Sequence, residues 1–335
     1  MSDPVRVGLN GFGRIGRNVM RASLDNDNVK IVGINDVIDD EEVEYFARYD
    51  TIMGELPGVS VDDGVLTIEG TDFEAGVFHE TDPTKLPWDD LDVDVAFECT
   101  GIFRTYDDAV QHVGAGADKV LISAPPKGEK EVKQIVYGVN QDEYDGEDVV
   151  SNASCTTNSI TPVAKVLDEE FGIGSGQLTT VHAYTGSQNL IDGPNSKPRR
   201  RRAAAENIIP TSTGAAQATT EVLPQLEGKL DGMAIRVPVP NGSITELVVD
   251  LEEDVTEEDV NAAFEDAAAG ELEGVMGVTS DELVSSDILG DPYSTQVDLG
   301  QTNIVNGLTK ILTWYDNEYG FSCRMLDVAE YISEQ

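Results

Sequence analysis

The sequence predicts an α/β protein of two domains, in which a doubly wound parallel sheet is followed by an α+β domain with a mixed or antiparallel sheet. Through residue 150, short apolar runs alternate with amphipathic stretches, which is a β–α–β pattern. After residue 155 the strands become longer and alternate apolar with polar residues. The chain of 335 residues, 40% of them hydrophobic, can bury a full core, and its length favours two domains.

The first half supplies the strands of the parallel sheet. Its buried apolar runs are Val5 to Leu9, Ile31 to Asn35, Val93 to Cys99, Val120 to Ser123 and Val149 to Asn152. An Asp63-Gly64 pair between alternating apolar residues predicts a β-hairpin over residues 59–68.

The second half begins with a predicted helix from Thr156 to Phe171. Its predicted strands are Gln177 to Tyr184, Met233 to Pro238, Ile244 to Glu252 and Ile304 to Tyr315. The segment from Gly186 to Arg202 is polar, contains proline and glycine, and is too long for a simple turn. It is therefore a candidate functional loop.

The charge balance excludes some classes of partner. With 63 acidic and 22 basic residues the formal net charge is −41, and the acids are spread over the chain. Such a surface argues against nucleic acid and against anionic membranes as partners. No apolar run approaches the roughly 18 residues of a membrane helix, and no signal-peptide pattern is present, so we expect a cytoplasmic protein. Because molar salt screens the repulsion between acids, we hypothesise a halophilic source.

A glycine motif follows the first strand and opens a helix. The residues Gly11-Phe12-Gly13-Arg14-Ile15-Gly16 fit the pattern G-x-G-x-x-G. In a Rossmann-type domain the first glycine permits the turn, the second lets the backbone approach a pyrophosphate, and the third allows close helix packing. The alternative is a chance glycine-rich turn.

Asp36 strengthens the dinucleotide interpretation. It lies twenty residues after Gly16, at the end of the second strand. There a carboxylate can accept hydrogen bonds from both ribose hydroxyls and repel a 2′-phosphate, so NAD is predicted over NADP. On the alternative reading Asp36 is a surface residue.

Three cysteines, Cys99, Cys155 and Cys323, are too few for a disulfide framework, so each is a buried apolar residue or a reactive thiol. Cys155 lies where a strand passes into a helix, and a helix N-terminus stabilises a thiolate. His182 is the one histidine of the second half, whereas His79 and His112 are predicted in exposed polar surroundings. The residues alone leave open an inert buried cysteine and an edge-strand histidine.

The segment Ala153 to Asn158 resembles the active-site signature of phosphorylating glyceraldehyde-3-phosphate dehydrogenases. Further segments match in the same order over nearly the whole chain: Asn10 to Gly16, Glu98 to Gly101, Ser123 to Pro125, Asn207 to Gln217 and Trp314 to Glu318. The resemblance implies an NAD-dependent oxidation of D-glyceraldehyde 3-phosphate to 1,3-bisphosphoglycerate in glycolysis or gluconeogenesis. It implies that Cys155 forms a hemithioacetal, that His182 is the base, and that inorganic phosphate cleaves the thioester.

Phosphorylated substrates require local cations in an acidic chain, and Arg199 to Arg202 and Arg236 are candidates. The alternatives are a solvated or intersubunit face for the run and a buried ion pair for Arg236. The resemblance assigns the substrate phosphate to Thr185 and Arg236. It assigns the attacking phosphate to Arg200, Thr213 and Gly214, with Ser154 and Thr156 near the carbonyl, although any arginine of the run could serve.

The resemblance also implies the domain organisation and the assembly. Residues 1–153, with a C-terminal helix in 318–335, form the NAD-binding domain, and residues 154–317 form the catalytic domain. Ser123 and Asn317 lie near the nicotinamide, and no metal is expected. Asp192-Gly193-Pro194 matches a segment that contacts a neighbour's cofactor, which implies a homotetramer. The alternatives are an erythrose-4-phosphate or semialdehyde dehydrogenase, or a catalytically silent NAD-binding protein.

Overall fold

The structure is a computed structural model that describes residues 3–335, and the chain divides into two compact units. Unit 1 comprises residues 3–137, 141–154 and 322–335. Unit 2 comprises residues 138–140 and 155–321. None of the helices in residues 3–335 combines the length and the apolar character that crossing a lipid bilayer requires.

Unit 1 is built on a largely parallel sheet. Its strands are β1 Val5–Asn10, β2 Val29–Asn35, β3 Val59–Asp62, β4 Val65–Ile68, β5 Glu74–Phe78, β6 Val95–Glu98, β7 Lys119–Ile122, β8 Lys133–Gln134 and β9 Val149–Ser151. Their spatial order is β3-β4-β5-β2-β1-β6-β7-β9-β8. Strand β1 pairs in parallel with β2 on one side and with β6 on the other. The predicted doubly wound sheet is confirmed.

The helices of unit 1 connect these strands. They are α1 Arg14–Ser23, α2 Asp40–Arg48, α3 Tyr106–Ala109 and α4 Gln111–Gly114. Helix α2 begins after Asp39, whose carboxylate accepts a hydrogen bond from Glu42 N at 3.0 Å, and three acids occupy its first turn. Acidic side chains at a helix N-terminus interact favourably with the helix dipole, so these three acids stabilise α2.

Unit 2 contains a mixed sheet and the longest helix. Its elements are α5 Cys155–Phe171, β10 Ile173–Ala183, β11 Ile209–Ser212, α6 Ala215–Val222, β12 Leu230–Val237, β13 Ser243–Leu251, α7 Glu257–Ala269, β14 Met276–Thr279, β15 Thr295–Asp298, β16 Asn303–Val305 and β17 Leu308–Tyr315. The spatial order is β11-β12-β10-β13-β17-β15-β14, and β16 pairs with β17. Strand β10 runs parallel to β12 and antiparallel to β13, which confirms the predicted mixed sheet.

Two hairpins use the same turn chemistry, and only one was predicted. Asp63 and Gly64 have φ angles of 50° and 73°, which confirms the predicted hairpin of β3 and β4. The prediction of one strand from Ile304 to Tyr315 is wrong, because Asn306 and Gly307 turn the chain with φ angles of 52° and 85°. An Asn-Gly pair is a strong hairpin signal.

The last helix, α8 Tyr319–Ser333, begins one residue after the predicted Glu318, and its residues from Ser322 onward belong to unit 1. Asp316 prepares its start, because its Oδ1 accepts hydrogen bonds at 2.8 Å from the backbone N–H groups of Glu318 and Tyr319. A carboxylate that accepts these bonds satisfies donors that have no partner within the helix.

The core of unit 1 contains one prediction that fails. His112 was expected in exposed polar surroundings, but its side chain is fully buried. It lies beside Trp88, which is also fully buried and donates its indole N–H to Nδ1 of His112 at 3.0 Å. Trp88 fits closely against the sheet, since a Cβ on Gly8 would lie 2.9 Å from its ring. The imidazole is buried because its ring nitrogens have hydrogen-bond partners there.

Candidate active site

Cys155 and His182 face each other in unit 2. Cys155 is the first residue of α5, and His182 lies near the end of β10. The Sγ atom of Cys155 is 3.5 Å from Nε2 of His182. At this separation an imidazole can take the proton of a thiol, so the structure brings together a nucleophile and a base.

Burial dominates the protonation of this pair. Loss of solvent raises the pKa of the Cys155 thiol, and the Arg236 charge opposes this only in part. Burial, followed by the charge of Arg236, lowers the pKa of His182 to about 3. Both groups are therefore neutral near pH 7. The sequence predicts a stabilised thiolate; desolvation of this partly buried sulfur opposes that charge, whereas the Arg236 cation and backbone N–H groups at the helix N-terminus favour it.

A backbone carbonyl orients the imidazole of His182. Its Nδ1 lies 2.7 Å from the carbonyl oxygen of Ala183. When Nδ1 carries the proton and donates it to this oxygen, Nε2 presents a lone pair to Cys155. Arg236 Nη1 donates to the same carbonyl at 2.7 Å and lies 2.8 Å from Nδ1. His182 can therefore act as a base in the tautomer whose Nδ1–H donates to the Ala183 carbonyl oxygen.

Tyr315 completes the surroundings of the pair, although no sequence pattern indicates it. Its fully buried hydroxyl lies 3.0 Å from Thr156 Oγ1 and 2.8 Å from Thr180 Oγ1. Its ring meets His182 edge to face, with centroids 6.0 Å apart. Burial raises the pKa of Tyr315 to about 12, so its hydroxyl stays protonated. The tyrosine therefore links the helix of Cys155 to the strand of His182.

Arg236 is placed beside His182 by strand register. Strands β10 and β12 are parallel, and His182 is directly opposite Arg236 in the pairing. Arg200 is the cation that acts on Arg236, and no carboxylate of residues 3–335 forms an ion pair with it, so the alternative of a buried ion pair is not observed. In the described chain its Nε is buried without a hydrogen-bond partner. This guanidinium can therefore bind an added anion.

Arg200 is the member of the arginine run that points toward this region. Its Nε donates to Thr211 Oγ1 at 3.1 Å, and its Nη1 donates to Ser187 Oγ at 3.3 Å. Ser187 Oγ lies 2.9 Å from Thr185 Oγ1. Arg200 is half-buried, and burial lowers its pKa. Arg200 is thus linked through Ser187 to Thr185, which the resemblance assigns to the substrate phosphate.

The other arginines of the run are turned elsewhere. Arg201 donates to the carbonyl oxygen of Asn195 at 2.9 Å. Arg202 forms an ion pair with Asp192 at 2.8 Å. Arg199 is exposed. Of the four, Arg200 is the one whose charge lowers the pKa of both His182 and Arg236.

Lys197 is a further cation near this site, and no sequence pattern indicates it. Its Nζ donates to Ser212 Oγ at 2.8 Å. Burial, and then the charges of Arg200 and Arg236, lower the pKa of Lys197. We call Lys197, Arg200 and Arg236 the cation cluster. Like charges held close together favour an anion that neutralises them.

The remaining predicted phosphate residues lie around these elements. Thr213 accepts a hydrogen bond from Ala215 N at 3.1 Å, and Gly214 directly precedes α6. Thr156 is the second residue of α5 and is bonded to Tyr315. Ser154, at the chain boundary of unit 1, is partly buried.

In unit 1 the glycine loop, residues 11–16, has a distinct use for each glycine. Gly11 has a φ of 99°, and a Cβ there would lie 2.6 Å from Thr100 N. A Cβ on Gly16 would collide with the Gly11 carbonyl oxygen, whereas a Cβ on the exposed Gly13 would meet nothing within 4 Å. Open space at Gly13 permits a ligand to approach the backbone.

The other loop residues support its shape. Phe12 is buried and Ile15 is partly buried. The Arg14 guanidinium is paired with the Asp50 carboxylate, whose side chain is only 3% exposed. The cation of the loop is therefore already neutralised within unit 1.

Asp36 ties the end of β2 to the glycine loop. Its Oδ2 accepts a hydrogen bond from Phe12 N at 2.6 Å. Ser123 is partly buried, and its N–H donates to the Glu98 carbonyl oxygen at 3.0 Å. Asn317 belongs to unit 2, where its Oδ1 accepts from Ser243 Oγ at 2.7 Å.

Comparison with known proteins decides the family. Residues 5–106 match the NAD binding domain of glyceraldehyde 3-phosphate dehydrogenase, and residues 154–317 match its C-terminal domain. A glyceraldehyde-3-phosphate dehydrogenase of Haloarcula vallismortis is 85% identical over 334 residues, covering 100% of both chains. The chain belongs to the glyceraldehyde 3-phosphate dehydrogenase family.

Other members of the glyceraldehyde 3-phosphate dehydrogenase family match over the same length. Glyceraldehyde-3-phosphate dehydrogenase 2 of Streptomyces avermitilis is 51% identical over 336 residues, covering 99% of each chain. Glyceraldehyde-3-phosphate dehydrogenase 1 of Bacillus subtilis is 49% identical over 335 residues, again with 99% coverage of each. The range that matches the NAD binding domain includes the glycine loop and Asp36. The range that matches the C-terminal domain includes Cys155, His182 and Arg236.

Proposed function

We propose that this chain oxidises D-glyceraldehyde 3-phosphate to 1,3-bisphosphoglycerate with NAD and inorganic phosphate. The observation that carries the proposal is that Cys155 and His182 lie 3.5 Å apart, with Arg236 beside them. The chain that contains them belongs to the glyceraldehyde 3-phosphate dehydrogenase family. A thiol, a base and a guanidinium that has no carboxylate partner suit the covalent oxidation of a phosphorylated aldehyde.

The residues of unit 1 fit a dinucleotide. Open space at Gly13 admits a pyrophosphate to the backbone N–H groups, and the Asp36 carboxylate adjoins the loop. NAD, when bound, supplies an acceptor for hydride. We assign its pyrophosphate to the glycine loop, its ribose to Asp36, and its nicotinamide to Ser123 and Asn317.

The first step joins the aldehyde to the enzyme. His182 Nε2 takes the thiol proton as Cys155 Sγ attacks the aldehyde carbon, and the same nitrogen returns the proton to the aldehyde oxygen. A neutral hemithioacetal results. General-base assistance is needed because burial raises the pKa of the Cys155 thiol and leaves little thiolate near pH 7.

The second step oxidises the hemithioacetal. Its hydroxyl gives a proton to His182 Nε2, and hydride leaves the same carbon with its electron pair. The product is a thioester on Cys155. Burial and the Arg236 charge disfavour the imidazolium by lowering the pKa of His182, so this proton then leaves for solvent.

The third step transfers the acyl group to inorganic phosphate. A phosphate oxygen attacks the thioester carbon, the carbon–sulfur bond breaks with its electron pair on Sγ of Cys155, and His182 Nε2 carries the proton of the phosphate to that sulfur. We assign the attacking phosphate to Arg200, Thr213 and Gly214, with Ser154 and Thr156 near the carbonyl. Thr185 and Arg236 hold the phosphate of the substrate. The link from Arg200 through Ser187 to Thr185 supports two neighbouring anion positions.

The test measures NADH formation from glyceraldehyde 3-phosphate in molar salt, with and without inorganic phosphate. We expect turnover in the wild type that depends on phosphate. Cys155→Ser should lose activity by at least about a thousandfold, because a buried hydroxyl is a far weaker nucleophile than a thiol.

The outcomes separate this function from its alternatives. Phosphate-independent turnover would indicate a relative that hydrolyses its thioester. Turnover of an amino-acid semialdehyde in place of the sugar phosphate would indicate a different substrate class. Unchanged turnover in Cys155→Ser would overturn the mechanism.

We also propose a homotetramer adapted to high salt. The exposed side chains of Leu190 and Ile191, in the loop assigned to a subunit contact, support association. The net charge of −41 and the match from Haloarcula vallismortis support a halophilic source. Light scattering in molar salt should give four times the 36.1 kDa chain mass, and a monomer would contradict the assembly.

A further inference from the structure

Four buried side chains of unit 1 form a hydrogen-bonded network that the proposed reaction does not use. Asn10 is 3% exposed, and Glu98, His112 and Trp88 are fully buried. Asn10 ends β1 and Glu98 ends β6, and the two residues are direct neighbours in the parallel pairing of these strands.

The network lies at the topological switch point of the sheet. From β1 the chain proceeds to β2 on one side, and it later returns to β6 on the other side. Ligands of doubly wound sheets bind at the carboxyl ends of the strands that flank this point. Asn10 also immediately precedes Gly11, the first residue of the glycine loop.

Both oxygens of the Glu98 carboxylate have hydrogen-bond partners. Its Oε1 accepts from the backbone N–H of Thr100 at 2.9 Å and also from the Thr100 hydroxyl. Its Oε2 accepts from Asn10 Nδ2 at 2.6 Å and lies 3.3 Å from His112 Nε2. Such bonds compensate the removal of a carboxylate from water.

The donor roles in the network are fixed by its outer members. Trp88 can only donate, and its Nε1 donates to Nδ1 of His112, so the imidazole proton resides on Nε2 and faces Glu98. Asn35 Nδ2 donates to Asn10 Oδ1 at 2.8 Å, which turns the Asn10 amide nitrogen toward Glu98. All neighbours of the carboxylate are therefore donors, an arrangement that suits an anion.

Glu98 is coupled to the glycine loop through the Thr100 turn, residues 99–101. The position of a Cβ on Gly11 lies 2.6 Å from Thr100 N, so the turn and the first glycine are in direct contact. The backbone N–H of Cys99 donates to the Asn10 carbonyl oxygen at 2.7 Å. A displaced Thr100 turn would therefore displace the loop.

We propose that Glu98 is a positioning residue of the dinucleotide site. As a buried anion it holds the Thr100 turn against Gly11 and thereby sets the backbone N–H groups that receive a pyrophosphate. His112 and Asn10 supply the donors that keep the carboxylate in place, and Trp88 fixes the tautomer of His112. This inference rests on the proposed function in taking NAD as the ligand.

The test exchanges hydrogen-bond donors and acceptors by substitutions that keep the shape of the side chain. Glu98→Gln turns one end of the carboxylate into an NH₂ group, which opposes either the Asn10 and His112 donors or the Thr100 backbone N–H. His112 cannot change tautomer without opposing Trp88. The double variant Asn10→Asp with Glu98→Gln moves the carboxylate to position 10. There it can accept from the new amide, from Asn35, and from His112 Nε2, which lies 3.4 Å from the present Asn10 Nδ2.

NAD binding is measured by calorimetry without aldehyde in molar salt, and the melting temperature of each ligand-free variant is recorded. Glu98→Gln should raise the NAD Kd at least about tenfold, since a buried donor loses its acceptor. The double variant should return the Kd to within about threefold of the wild type. Alkylation of Cys155, in unit 2, should be unchanged in both.

Thr100→Val provides a test that does not depend on the folding of Glu98→Gln. It removes one donor at the partly exposed end of the network, and we expect the NAD Kd to rise about threefold at an unchanged melting temperature. Wild-type NAD affinity in Thr100→Val, or a double variant that binds no better than Glu98→Gln, would overturn the proposal. A wild type that binds NAD but does not oxidise glyceraldehyde 3-phosphate would overturn only the proposed function.

Discussion

Units 1 and 2 both present sites suited to phosphate groups, and they differ in chemistry. The glycine loop offers backbone N–H groups beside the Asp36 carboxylate, and its one guanidinium, on Arg14, is already paired. The cation cluster offers charged side chains. Arg236 is largely buried and Arg200 is partly buried, and both lie near other cations.

This difference separates selection by shape from attraction by charge. Backbone donors fit a phosphate in one geometry, and an adjacent carboxylate repels any additional negative group. A guanidinium cluster attracts anions in general and binds two oxygens at a time. In a chain with a net charge of −41, burial also keeps the Arg236 charge away from surface acids that would neutralise it.

The largest effect should follow from removal of Arg236. Arg236→Gln should lower kcat/KM for glyceraldehyde 3-phosphate by about a hundredfold or more, because a buried charged partner of the phosphate is lost. Steady-state kinetics in molar salt measure this change, with exposed Arg201→Gln as the control. A loss below about threefold would show that Arg236 does not bind substrate phosphate.

A smaller effect is expected at Arg200. Arg200→Gln should raise KM for inorganic phosphate by about tenfold, since one charge-assisted hydrogen bond is lost. Arg201→Gln and Arg202→Gln, in the same loop, should leave it within about twofold. If Arg201→Gln has the larger effect, the assignment of Arg200 within the run is wrong.

In unit 1, Asp36→Asn should change selectivity more than stability. The amide oxygen can still accept from Phe12 N, but the repulsion of a 2′-phosphate disappears. We expect kcat/KM for NADP relative to NAD to rise by about five- to tenfold at an unchanged melting temperature. An unaltered ratio would contradict the role of the carboxylate in excluding NADP.

The smallest effect concerns the titration of Cys155. Its alkylation by iodoacetamide should increase with pH and reach a midpoint above the ordinary cysteine pKa of about 8.5, because burial raises the pKa of this thiol. No step is expected near pH 6.5, since His182, with a pKa of about 3, is already neutral. Arg236→Gln should move the midpoint to higher pH, because the cation lowers the pKa of the thiol. A midpoint below pH 7 would contradict this account.

Local patterns made much of unit 1 predictable. The glycine loop and the Asp63-Gly64 hairpin are defined within a few residues, so their backbone requirements are visible in the sequence. The burial of His112 was not visible, because its partner Trp88 is 24 residues away and its own surroundings in the sequence are polar. Only the fold reveals that these side chains meet.

In unit 2 the family pattern indicated Cys155 and His182, but physical contacts had to come from the fold. The choice of Arg200 depends on a 3₁₀ turn, Pro198–Arg201, that sends neighbouring side chains in different directions. Tyr315 was missed because it reaches Thr156 from 159 residues away. Such contacts depend on how helix α5 packs on β10 and β17, which no local sequence pattern specifies.

The pairing of His182 with Arg236 across β10 and β12 has a consequence for how such an enzyme can diversify. Both residues are fixed by a hydrogen-bonded ladder, whereas Lys197 and Arg200 belong to a connecting loop. Loops accept insertions and replacements that sheets do not. An exchanged loop could therefore recruit a different acyl acceptor while the proton-transfer apparatus is inherited unchanged. A slip of one residue in β12, by contrast, would turn the guanidinium to the opposite face and abolish the old activity before a new one arose.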